Sequence, residues 1–552
     1  MEKVGSVDYF DGAKRRLYFF VERENFVEEE GFYKVVSGDK IFYIFVTSLS
    51  EHPLESDVGS RYSPAGFDFD FGERFLLYGQ ASVLLEYRKE GNTKIVGYKT
   101  IPRHGSGIYE LEESDFDILQ LPKLDFAYVR SGSRKLDTKV GFEKDAYVTH
   151  WLISGWTNSG KTNSSKILLG VTLKGDGNSP FAGGIVIDPH GEYYRDLKAF
   201  NTPNDTRIVH LTMSPDSNDE NEKSLHIPLN ILTPNDLCEV KDFASETQIP
   251  FMWACRKLHR NLNLNGPSGS EDEVSAQKEI LEKAKNWVDM ILNCDTQLLM
   301  RALPDYGQQS KGDAIIGAVK RRVRGIIRED SDIWLEEYYP IIEEVIEGTT
   351  RGVWYVLDVS RISDDTSKLL SSLFSYKLFN AYKKASLEDR KAWESFKPAG
   401  VLIEEAHNYL SPEESSKGNT IAKIAKEGRK FKVFTIVVEQ DPSGIDQRVL
   451  KQIHNKITLQ LIPKDARALT ETTPYMDELV DKIPYYEQGE GVFVSTGSFN
   501  FALPVKFPHI SEWLDSNSEL CKKCNNKKTF SSDKICAACQ GKKKRDDIRS
   551  MM

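Results

Sequence analysis

The stretch from Gly155 to Thr162 carries the clearest chemistry in this sequence. It reads Gly-Trp-Thr-Asn-Ser-Gly-Lys-Thr, the Gly-x-x-x-x-Gly-Lys-Thr spacing of a loop that wraps nucleotide phosphates. The glycines let backbone N–H groups face an anion, and the positive end of the following helix points at the same place. Lys161 adds a charge for the β- and γ-phosphates, and Thr162 offers a hydroxyl to Mg²⁺.

The sequence around this loop supports the assignment, because residues 148–154 are typical of a short buried strand and residues 164–169 of a helix. An ordinary glycine-rich surface turn is the alternative. The predicted nucleotide contacts are Gly155, Asn158, Ser159, Gly160, Lys161, Thr162 and Asn163.

Glu404 and Glu405 follow a short apolar run and could supply the acid and the base that hydrolysis needs. An acid holds Mg²⁺, and a base orients the attacking water. If both ended a strand, alternation would send Glu404 toward the metal and Glu405 toward the γ-phosphate. A surface acidic pair is the alternative. Asp188 ends another apolar run, and it is either a further contact of the nucleotide site or the capping aspartate of a turn.

Four cysteines near the end form two tight pairs, Cys521-x-x-Cys524 and Cys536-x-x-Cys539, eleven residues apart. This spacing lets four thiolates meet around one tetrahedral Zn²⁺, with unrelated free thiols as the alternative. A closed four-cysteine site is structural rather than catalytic. The lysines around it could contact a DNA backbone or a partner, or could only keep the tail solvated.

Composition places the chain among soluble globular proteins, with 552 residues, 39% hydrophobic and 28% charged. No signal peptide or membrane-length apolar run is present, so we expect a cytoplasmic protein without membrane contact. A net charge of −10 argues against a chain that coats nucleic acid with its whole surface, but it leaves room for a local basic lining.

The pattern of apolar segments changes along the chain. Short alternating segments in residues 1–140 predict a small β-barrel or sandwich. Apolar strand runs that alternate with helices predict an α/β core with a mainly parallel sheet in residues 141–235 and 351–512. Residues 236–350 are helical in character and interrupt this core, and residues 513–552 form the cysteine-rich tail.

Within the predicted insertion, Ala318 to Arg328 reads as a basic helix. It is either a pore or DNA contact or an ordinary amphipathic helix.

Four segments together resemble the HerA ATPases of the FtsK/HerA group. They run from Ile187 to Tyr193, from Ile403 to Asn408, from Glu427 to Phe431 and from Gln440 to Ser443. The resemblance covers about residues 141 to 510, with the motifs in the family's order. It implies a RecA-like core, assembled as a homo-hexameric ring that pumps double-stranded DNA through its pore, usually with a separate nuclease partner. A small β-barrel before the phosphate loop agrees with the family.

The resemblance also implies roles for individual residues: Lys161 and Thr162 as phosphate and Mg²⁺ ligands, Glu404 as the second acidic motif, Glu405 as the catalytic glutamate, Arg429 as an arginine supplied to the neighbouring subunit, and Gln440 as a polar residue near the γ-phosphate. Taken alone, the basic run around Arg429 would be a solvated surface. Asn158 stands where the family commonly has glycine, and Trp156 is unusually bulky.

The loop predicts an ATP- and Mg²⁺-dependent enzyme, and the resemblance implies that it is a DNA translocase or helicase that feeds a nuclease or another effector. Two alternatives stay open. One is a secretion-type ATPase, against which the lack of a membrane segment counts. The other is a ring that only scaffolds an effector enzyme, as in antiphage systems where HerA-like rings assemble with nucleases or sirtuin-like proteins.

Overall fold

The structure is a computed structural model that describes the chain except for residues 1–2, 23–25, 54–74, 90–92, 113, 117–123, 178, 203–204, 308–310, 328–329, 337, 417–418, 474–475, 496–497, 521–527 and 530–552. The described residues fall into two compact units. The first unit consists of Met1–Val171 and Val438–Ser516. The second unit consists of Thr172–Val437 and the described residues that follow Ser516.

The first unit begins with a closed antiparallel barrel. Its strands, with one appended strand, are β1 Lys3–Asp11, β2 Arg16–Val21, β3 Phe32–Ser37, β4 Lys40–Pro53, β5 Phe75–Arg88, β6 Thr93–Val96 and β7 Gly107–Glu110. The order is β2-β1-β7-β3-β4-β5-β6, and β2 also pairs with β5, so six strands close the barrel and β6 lies outside the ring. Phe19, Phe42, Ile44 and Ile108 fill its core. The predicted small β-barrel is confirmed.

The remaining strands and helices follow in chain order. The strands are β8 Ala127–Ser131, β9 Arg134–Val140, β10 His150–Ser154, β11 Gly183–Asp188, β12 Ile208–Thr212, β13 Glu222–Ser224, β14 Ile227–Pro228, β15 Trp334–Leu335, β16 Trp354–Asp358, β17 Ala399–Ile403, β18 Val433–Glu439, β19 Ile453–Thr458, β20 Glu490–Ser495, β21 Phe499–Lys506, β22 Glu519–Leu520 and β23 Lys528–Thr529. The helices are α1 Lys161–Lys174, α2 Tyr193–Leu197, α3 Pro234–Cys238, α4 Gln248–Asn265, α5 Glu271–Lys283, α6 Trp287–Asn293, α7 Thr296–Ala302, α8 Pro304–Gly307, α9 Gly312–Ile327, α10 Ile341–Arg351, α11 Asp364–Glu388, α12 Arg390–Ser395, α13 His407–Leu410, α14 Pro412–Ser416, α15 Thr420–Glu427, α16 Gln447–Leu450, α17 Pro463–Thr470 and α18 Ile510–Asn517.

In the rest of the first unit, β10 pairs in parallel with β19, and β20, β21, β8 and β9 continue from β19 in antiparallel order. Ser154 at the end of β10 lies opposite Thr458 of β19. The loop from Gly155 to Gly160 leads from β10 into α1, so the predicted strand-loop-helix order is confirmed.

The second unit contains neighbouring parallel strands in the order β13-β12-β16-β11-β17-β18. Their apolar runs are buried, as expected for parallel strands covered on both faces. Asp188 pairs with Asp358 across β11 and β16, and Ile187 pairs with Ile403 across β11 and β17. The register therefore brings Asp188, Asp358 and Glu404 to one edge of these strands. The α/β, mainly parallel fold class is confirmed.

The helical insertion consists of α3 to α10, together with the short strand β15, which pairs with β14. Apolar residues between 280 and 291 recur at helical spacing, but they belong to two helices. Helix α5 ends at Lys283, and Asn286 caps α6 by accepting hydrogen bonds from the N–H groups of Val288 (3.0 Å) and Asp289 (2.9 Å). The basic helix predicted from Ala318 is the second half of α9.

The predicted zinc site cannot be compared with the structure, because its ligands Cys521, Cys524, Cys536 and Cys539 lie outside the described residues. In the tail, β22 and β23 pair antiparallel. The site stays a prediction. Among the helices of the described segments, none has both the length and the apolar character that crossing a membrane requires.

Candidate nucleotide-hydrolysis residues

The loop between β10 and α1 has the backbone shape of an anion cradle. Asn158 and Gly160 adopt left-handed conformations, with φ of 65° and 107°. A Cβ atom on Gly155 would lie 2.4 Å from Ser159 Oγ and 2.9 Å from Leu459 Cβ, so a larger residue here would force the neighbouring residues to shift. Alternating handedness over successive residues turns backbone N–H groups toward a common point, which is how such loops hold phosphate.

Residues from far downstream in the first unit hold this loop in place. The N–H of Gly155 donates to the carbonyl of Glu439 (3.2 Å), and the N–H of Trp156 donates to that of Gln460 (2.6 Å). The N–H of Gly489 donates to the carbonyl of Ser159 (2.9 Å). The loop is therefore fixed by three separate segments and does not depend on its own sequence alone.

Lys161 extends back over the loop. The carbonyl of Trp156 accepts hydrogen bonds from Lys161 Nζ (3.0 Å), from Ser159 Oγ (2.7 Å) and from the Ser159 N–H (3.2 Å). A neutral carbonyl is a weaker partner for an ammonium than a phosphate is, so a bound phosphate can take over Lys161 Nζ. Thr162 is half-buried in the first turn of α1.

Gln440 lies against the loop, because Thr157 Oγ1 donates a hydrogen bond to Gln440 Oε1 (3.0 Å). The sequence prediction missed the preceding residue. Glu439 is buried at the end of β18, and its Oε1 accepts the N–H groups of Gln440 (2.7 Å) and Asp441 (3.1 Å). Its carboxylate positions Gln440, and the signal that could have revealed it is an acid directly after an apolar run.

Asn163, which stays a predicted nucleotide contact, uses its side-chain amide within the protein. Its Nδ2 donates to the carbonyl of Pro508 (2.8 Å), and its Oδ1 accepts the N–H of Ile510 (2.8 Å). Both ends of the amide are thus used to tie α1 to the start of α18 and the residues just before it. Sequence spacing could not reveal these bonds, since the partners are about 350 residues away.

A cavity of about 600 Å³ adjoins the loop within the first unit. The phosphate loop and α1 form part of its wall, and residues of the strands β8, β9 and β21 form another part. The lining residues are Tyr128, Lys135, Gly160, Asn163, Gln488, Gly489, Lys506, Phe507, Pro508, His509, Glu512 and Ser516. Its size lies within the range of small-ligand sites.

In the second unit, Glu404 is buried and hydrogen-bonded. Tyr193 donates its hydroxyl hydrogen to Glu404 Oε1 (2.7 Å), and His190 Nε2 lies 3.8 Å from Glu404 Oε2. Both partners come from the predicted motif after β11. The structure therefore brings the Asp188–Tyr193 motif and the Glu404 motif together.

Asp188 acts as the capping aspartate of its turn. It is fully buried, and its carboxylate accepts the N–H groups of His190 (3.0 Å), Gly191 (2.9 Å) and Tyr193 (2.9 Å). Burial raises the pKa of Asp188 above its ordinary value despite these hydrogen bonds. The prediction of a direct nucleotide contact is corrected to a positioning role, since Asp188 orients the turn that carries His190 and Tyr193.

Glu405 departs from the strand geometry that the sequence suggested. Strand β17 ends at Ile403, so neither glutamate is a strand residue and side-chain alternation does not separate them. Glu405 has φ of 51°, and its carboxylate is more exposed than that of Glu404. Its Oε2 lies 3.6 Å from His407 Nδ1. The two carboxylates therefore have different histidine neighbours, and the left-handed backbone at Glu405, rather than strand alternation, distinguishes the two positions.

Asp358, at the same edge, was not predicted. His210 Nε2 lies 3.5 Å from Asp358 Oδ2, and Ser360 Oγ donates to Asp358 Oδ1 (2.6 Å). Burial alone would raise the pKa of Asp358, but the hydrogen bonds from His210 and Ser360 hold it well below its ordinary value. Asp358 therefore stays ionised and holds His210, whose ring stacks on Tyr194.

Arg429 is presented on a rigid turn. It lies exposed in the 3-10 turn Gly428–Phe431 that follows α15. A Cβ atom on Gly428 would lie 2.4 Å from the carbonyl oxygen of Val433, so the turn requires glycine. Lys432 is not part of a solvated run, because its ammonium donates to the carbonyls of Trp393 (3.0 Å) and Glu394 (2.9 Å).

These features define a class of protein. A phosphate-binding loop between a strand and a helix, in a chain that also carries acids at the carboxyl edge of parallel strands, is the arrangement of P-loop nucleotide-binding α/β proteins. More particularly, residues 131–378 match the family profile described as the central domain of helicase HerA.

Individual relatives agree with this match. The chain is 28% identical over 329 residues to a DNA double-strand break repair helicase HerA of Sulfurisphaera tokodaii, covering 57% of each protein. It is 30% identical over 178 residues to the protein of the same description from Saccharolobus solfataricus, covering 29% of this chain and 33% of that protein. The chain thus matches about half the length of the first of these relatives and a third of the second.

Solved structures give a weaker likeness. The plasmid coupling protein TrwB in complex with ADP and Mg²⁺ has a TM-score of 0.47 and 12% sequence identity, over 72% of this chain and 93% of that chain.

Proposed function

We propose that this protein is an ATP-hydrolysing DNA translocase or helicase of HerA type. It assembles as a homo-hexamer around double-stranded DNA and works with a separate nuclease or a sirtuin-like effector, in DNA processing or antiphage defence. Two findings support the proposal: the match of residues 131–378 to the HerA central domain, and relatives described as DNA double-strand break repair helicases.

The observation that carries the ATPase part is the conformation of the phosphate loop. Left-handed Asn158 and Gly160, the tight contact at Gly155 and the Lys161 ammonium folded over the loop are features that an ordinary surface turn does not need. Together they suit a polyphosphate bound at the start of α1.

Each residue then has a chemical role. Lys161 neutralises the β- and γ-phosphates, and Thr162 offers its hydroxyl to Mg²⁺. Glu404 is the acid of the metal site, and Glu405 orients the attacking water as general base. Gln440 holds its amide near the γ-phosphate, and Arg429 serves a neighbouring subunit. Zn²⁺ would be held by the four tail cysteines and would stabilise the tail.

The cavity beside Gly160 and Asn163 suits the nucleoside. It lies next to the start of α1, where the phosphates would lie, and it offers the aromatic ring of Tyr128 together with polar groups of His509 and Glu512. A purine fits such a mixed lining, because one face stacks while its edges form hydrogen bonds.

The experiment compares two substitutions that should affect ATP binding and ATP hydrolysis differently. Lys161→Ala removes the charge on the phosphates, so ATP binding and turnover should both be lost. Glu405→Gln removes only the base, so ATP should still bind while hydrolysis falls by at least about 10²-fold. Glu413→Gln, the same change at an exposed glutamate eight residues further on, is the matched control. Binding is measured with a fluorescent ATP analogue and turnover by phosphate release.

Wild-type turnover in the Glu405→Gln protein would eliminate Glu405 as the base. If Lys161→Ala and the control hydrolyse ATP equally, the loop is not the ATPase site and the proposed function fails.

A further inference from the structure

Two packed helices of the insertion carry a strong excess of positive charge. Helix α4 contains Arg256, Lys257 and Arg260 and no acidic residue, and α9 contains four basic residues with Asp313 as its one acid. The whole chain has a net charge of −10, so this local excess runs against the overall composition. Arg322 of α9 links the two helices by donating from Nη1 to Gln248 Oε1 of α4 (2.8 Å).

Most of these basic side chains have no acidic partner among the residues that the structure describes. Elsewhere in the insertion basic side chains form ion pairs, as in Lys283 with Glu279 (2.6 Å) and Arg301 with Asp272 (2.8 Å). Lys320 of α9 turns inward to the carbonyl of Cys294. Within the part of the chain that the structure describes, no ion pair joins the other six basic residues of α4 and α9 to an acid: Arg256, Lys257, Arg260, Arg321, Arg322 and Arg324.

The outer side of α4 adds apolar groups to this charge. Trp253, Lys257, Arg260 and Leu264 are exposed and follow one another at intervals of four, three and four residues, so they form one stripe along the helix. The guanidinium of Arg256 lies 5.4 Å from the centre of the Trp253 ring. Trp253 is 38% exposed, so part of its ring is accessible beside these charges.

From this geometry we infer that the α4–α9 basic face, defined by those six basic residues and Trp253, binds the phosphodiester backbone of a nucleic acid. Unpaired like charges repel one another, and a polyanion removes that repulsion while releasing its own counterions. A tryptophan beside an arginine is also a platform on which an exposed base can stack. An acidic protein is the competing partner, but it would need no such platform.

The inference rests on the proposed function, in which the protein acts on DNA. The α4–α9 basic face, however, contains none of the residues proposed to hydrolyse ATP. The face would hold nucleic acid on the helical insertion whether or not ATP is bound. It therefore predicts binding that depends on salt and that is insensitive to substitutions in the phosphate loop.

The test measures binding of fluorescein-labelled 30-nucleotide duplex and single-stranded DNA to the full chain, without nucleotide, over a salt series. Two double variants, Lys257→Gln with Arg260→Gln and Arg321→Gln with Arg324→Gln, should each weaken binding roughly tenfold and lower the salt slope by about 2, at about 0.9 for each lost phosphate contact. Lys278→Gln with Lys391→Gln, both exposed in the same unit, is the charge-matched control. Trp253→Leu should weaken single-strand binding more than duplex binding.

If both double variants bind DNA within twofold of the control and keep the same salt slope, the inference is overturned and an acidic protein becomes the better partner. ATP turnover without DNA, measured on the same preparations, should be unchanged in all three double variants. If the wild-type protein does not hydrolyse ATP, the proposed function is wrong. The DNA-binding measurements would still test the inference, because they are made without nucleotide.

Discussion

Two residues with predicted roles hold backbone conformations that L-amino acids rarely adopt. Asn158 has φ of 65° and Glu405 has φ of 51°, and only three other described non-glycine residues share this property. Each costs on the order of 1 kcal/mol, and strain of this kind persists where surrounding contacts enforce it. At Asn158 the strain shapes the loop, and at Glu405 it directs a carboxylate.

The loop conformation should therefore respond to the residue type at position 158. Asn158→Gly relieves the strain and should leave ATP affinity within about threefold, whereas a β-branched valine resists φ near 65° and should weaken ATP binding about tenfold or more. Both are measured by equilibrium titration with a fluorescent ATP analogue, alongside thermal melts that report folding. Equal affinity for the glycine and valine variants would show that the left-handed backbone at Asn158 does not matter for binding.

Residue types and spacing were enough to predict the phosphate loop, because its chemistry is local, while the roles of Glu404 and Glu405 stay predictions. They could not decide between capping and a nucleotide contact for Asp188, since the decision depends on three N–H groups that only the folded turn supplies. The tether made by Asn163 was equally out of reach, because Pro508 and Ile510 are distant in sequence.

At the level of secondary structure, the strands β11, β16, β17 and β18 coincide with apolar runs of the sequence, which is why a mainly parallel core could be predicted. The strand β19 escaped prediction because it reads Ile-His-Asn-Lys-Ile-Thr, which is not an apolar run. Its Lys456 is buried and donates to the carbonyl of Thr472 (2.5 Å), and burial lowers the pKa of that ammonium to about 8. Tertiary contacts, rather than periodicity, make this segment a strand.

The edge of the barrel beyond β5 depends on one buried carboxylate. Glu86 accepts hydrogen bonds from the N–H groups of Lys99 (2.7 Å) and Thr100 (2.8 Å) and from Arg88 Nε (2.8 Å). Burial alone would raise the pKa of Glu86, but these bonds outweigh it and lower the pKa from 4.5 to about 2. A lowered pKa in the folded state stabilises the fold above pH 4.5, and this stabilisation is lost as the pH falls toward 2.

Glu86→Gln should accordingly destabilise this part of the barrel by about 1–3 kcal/mol at pH 7, and its difference from the wild type should shrink below pH 4.5. Hydrogen exchange of peptides that contain Lys99 and Thr100, compared at pH 7 and pH 3, measures both effects. Glu51→Gln, at an exposed glutamate of the neighbouring strand β4, is the control and should change neither. Faster exchange in the variant by the same factor at both pH values would contradict the ionic explanation.

At the scale of the whole molecule, the proposed ring makes Arg429 a residue that acts on the next subunit. Arginines of this kind are worth roughly 10³-fold or more in rate. Arg429→Ala chains and Lys161→Ala chains should each be inactive alone, and co-expression should restore part of the activity, because some interfaces then join an intact Lys161 to an intact Arg429. Phosphate release from mixed rings, isolated with two different affinity tags, is the measurement.

In the contradicting outcome, mixed rings form and yet hydrolyse ATP no faster than either parent variant. That result would mean that Arg429 acts on the nucleotide of its own subunit or has only a structural role. Gly428→Ala tests the same role in a second way. The turn that presents Arg429 has no room for a Cβ atom, so this substitution should displace Arg429 and lower ATP turnover.

The first unit is built from two separate segments of the chain, and this affects the order in which its parts are synthesised. The phosphate loop is translated early, yet Glu439, Gln460 and Gly489, which anchor it, lie beyond the 266 residues from Thr172 to Val437 that belong to the other unit. At about 5–20 residues per second, a ribosome needs roughly 15 to 50 s to cross that interval. During this time the nascent loop lacks its anchors. A chain released before Gly489 would thus carry the complete phosphate-loop motif and still have no organised place for a nucleotide.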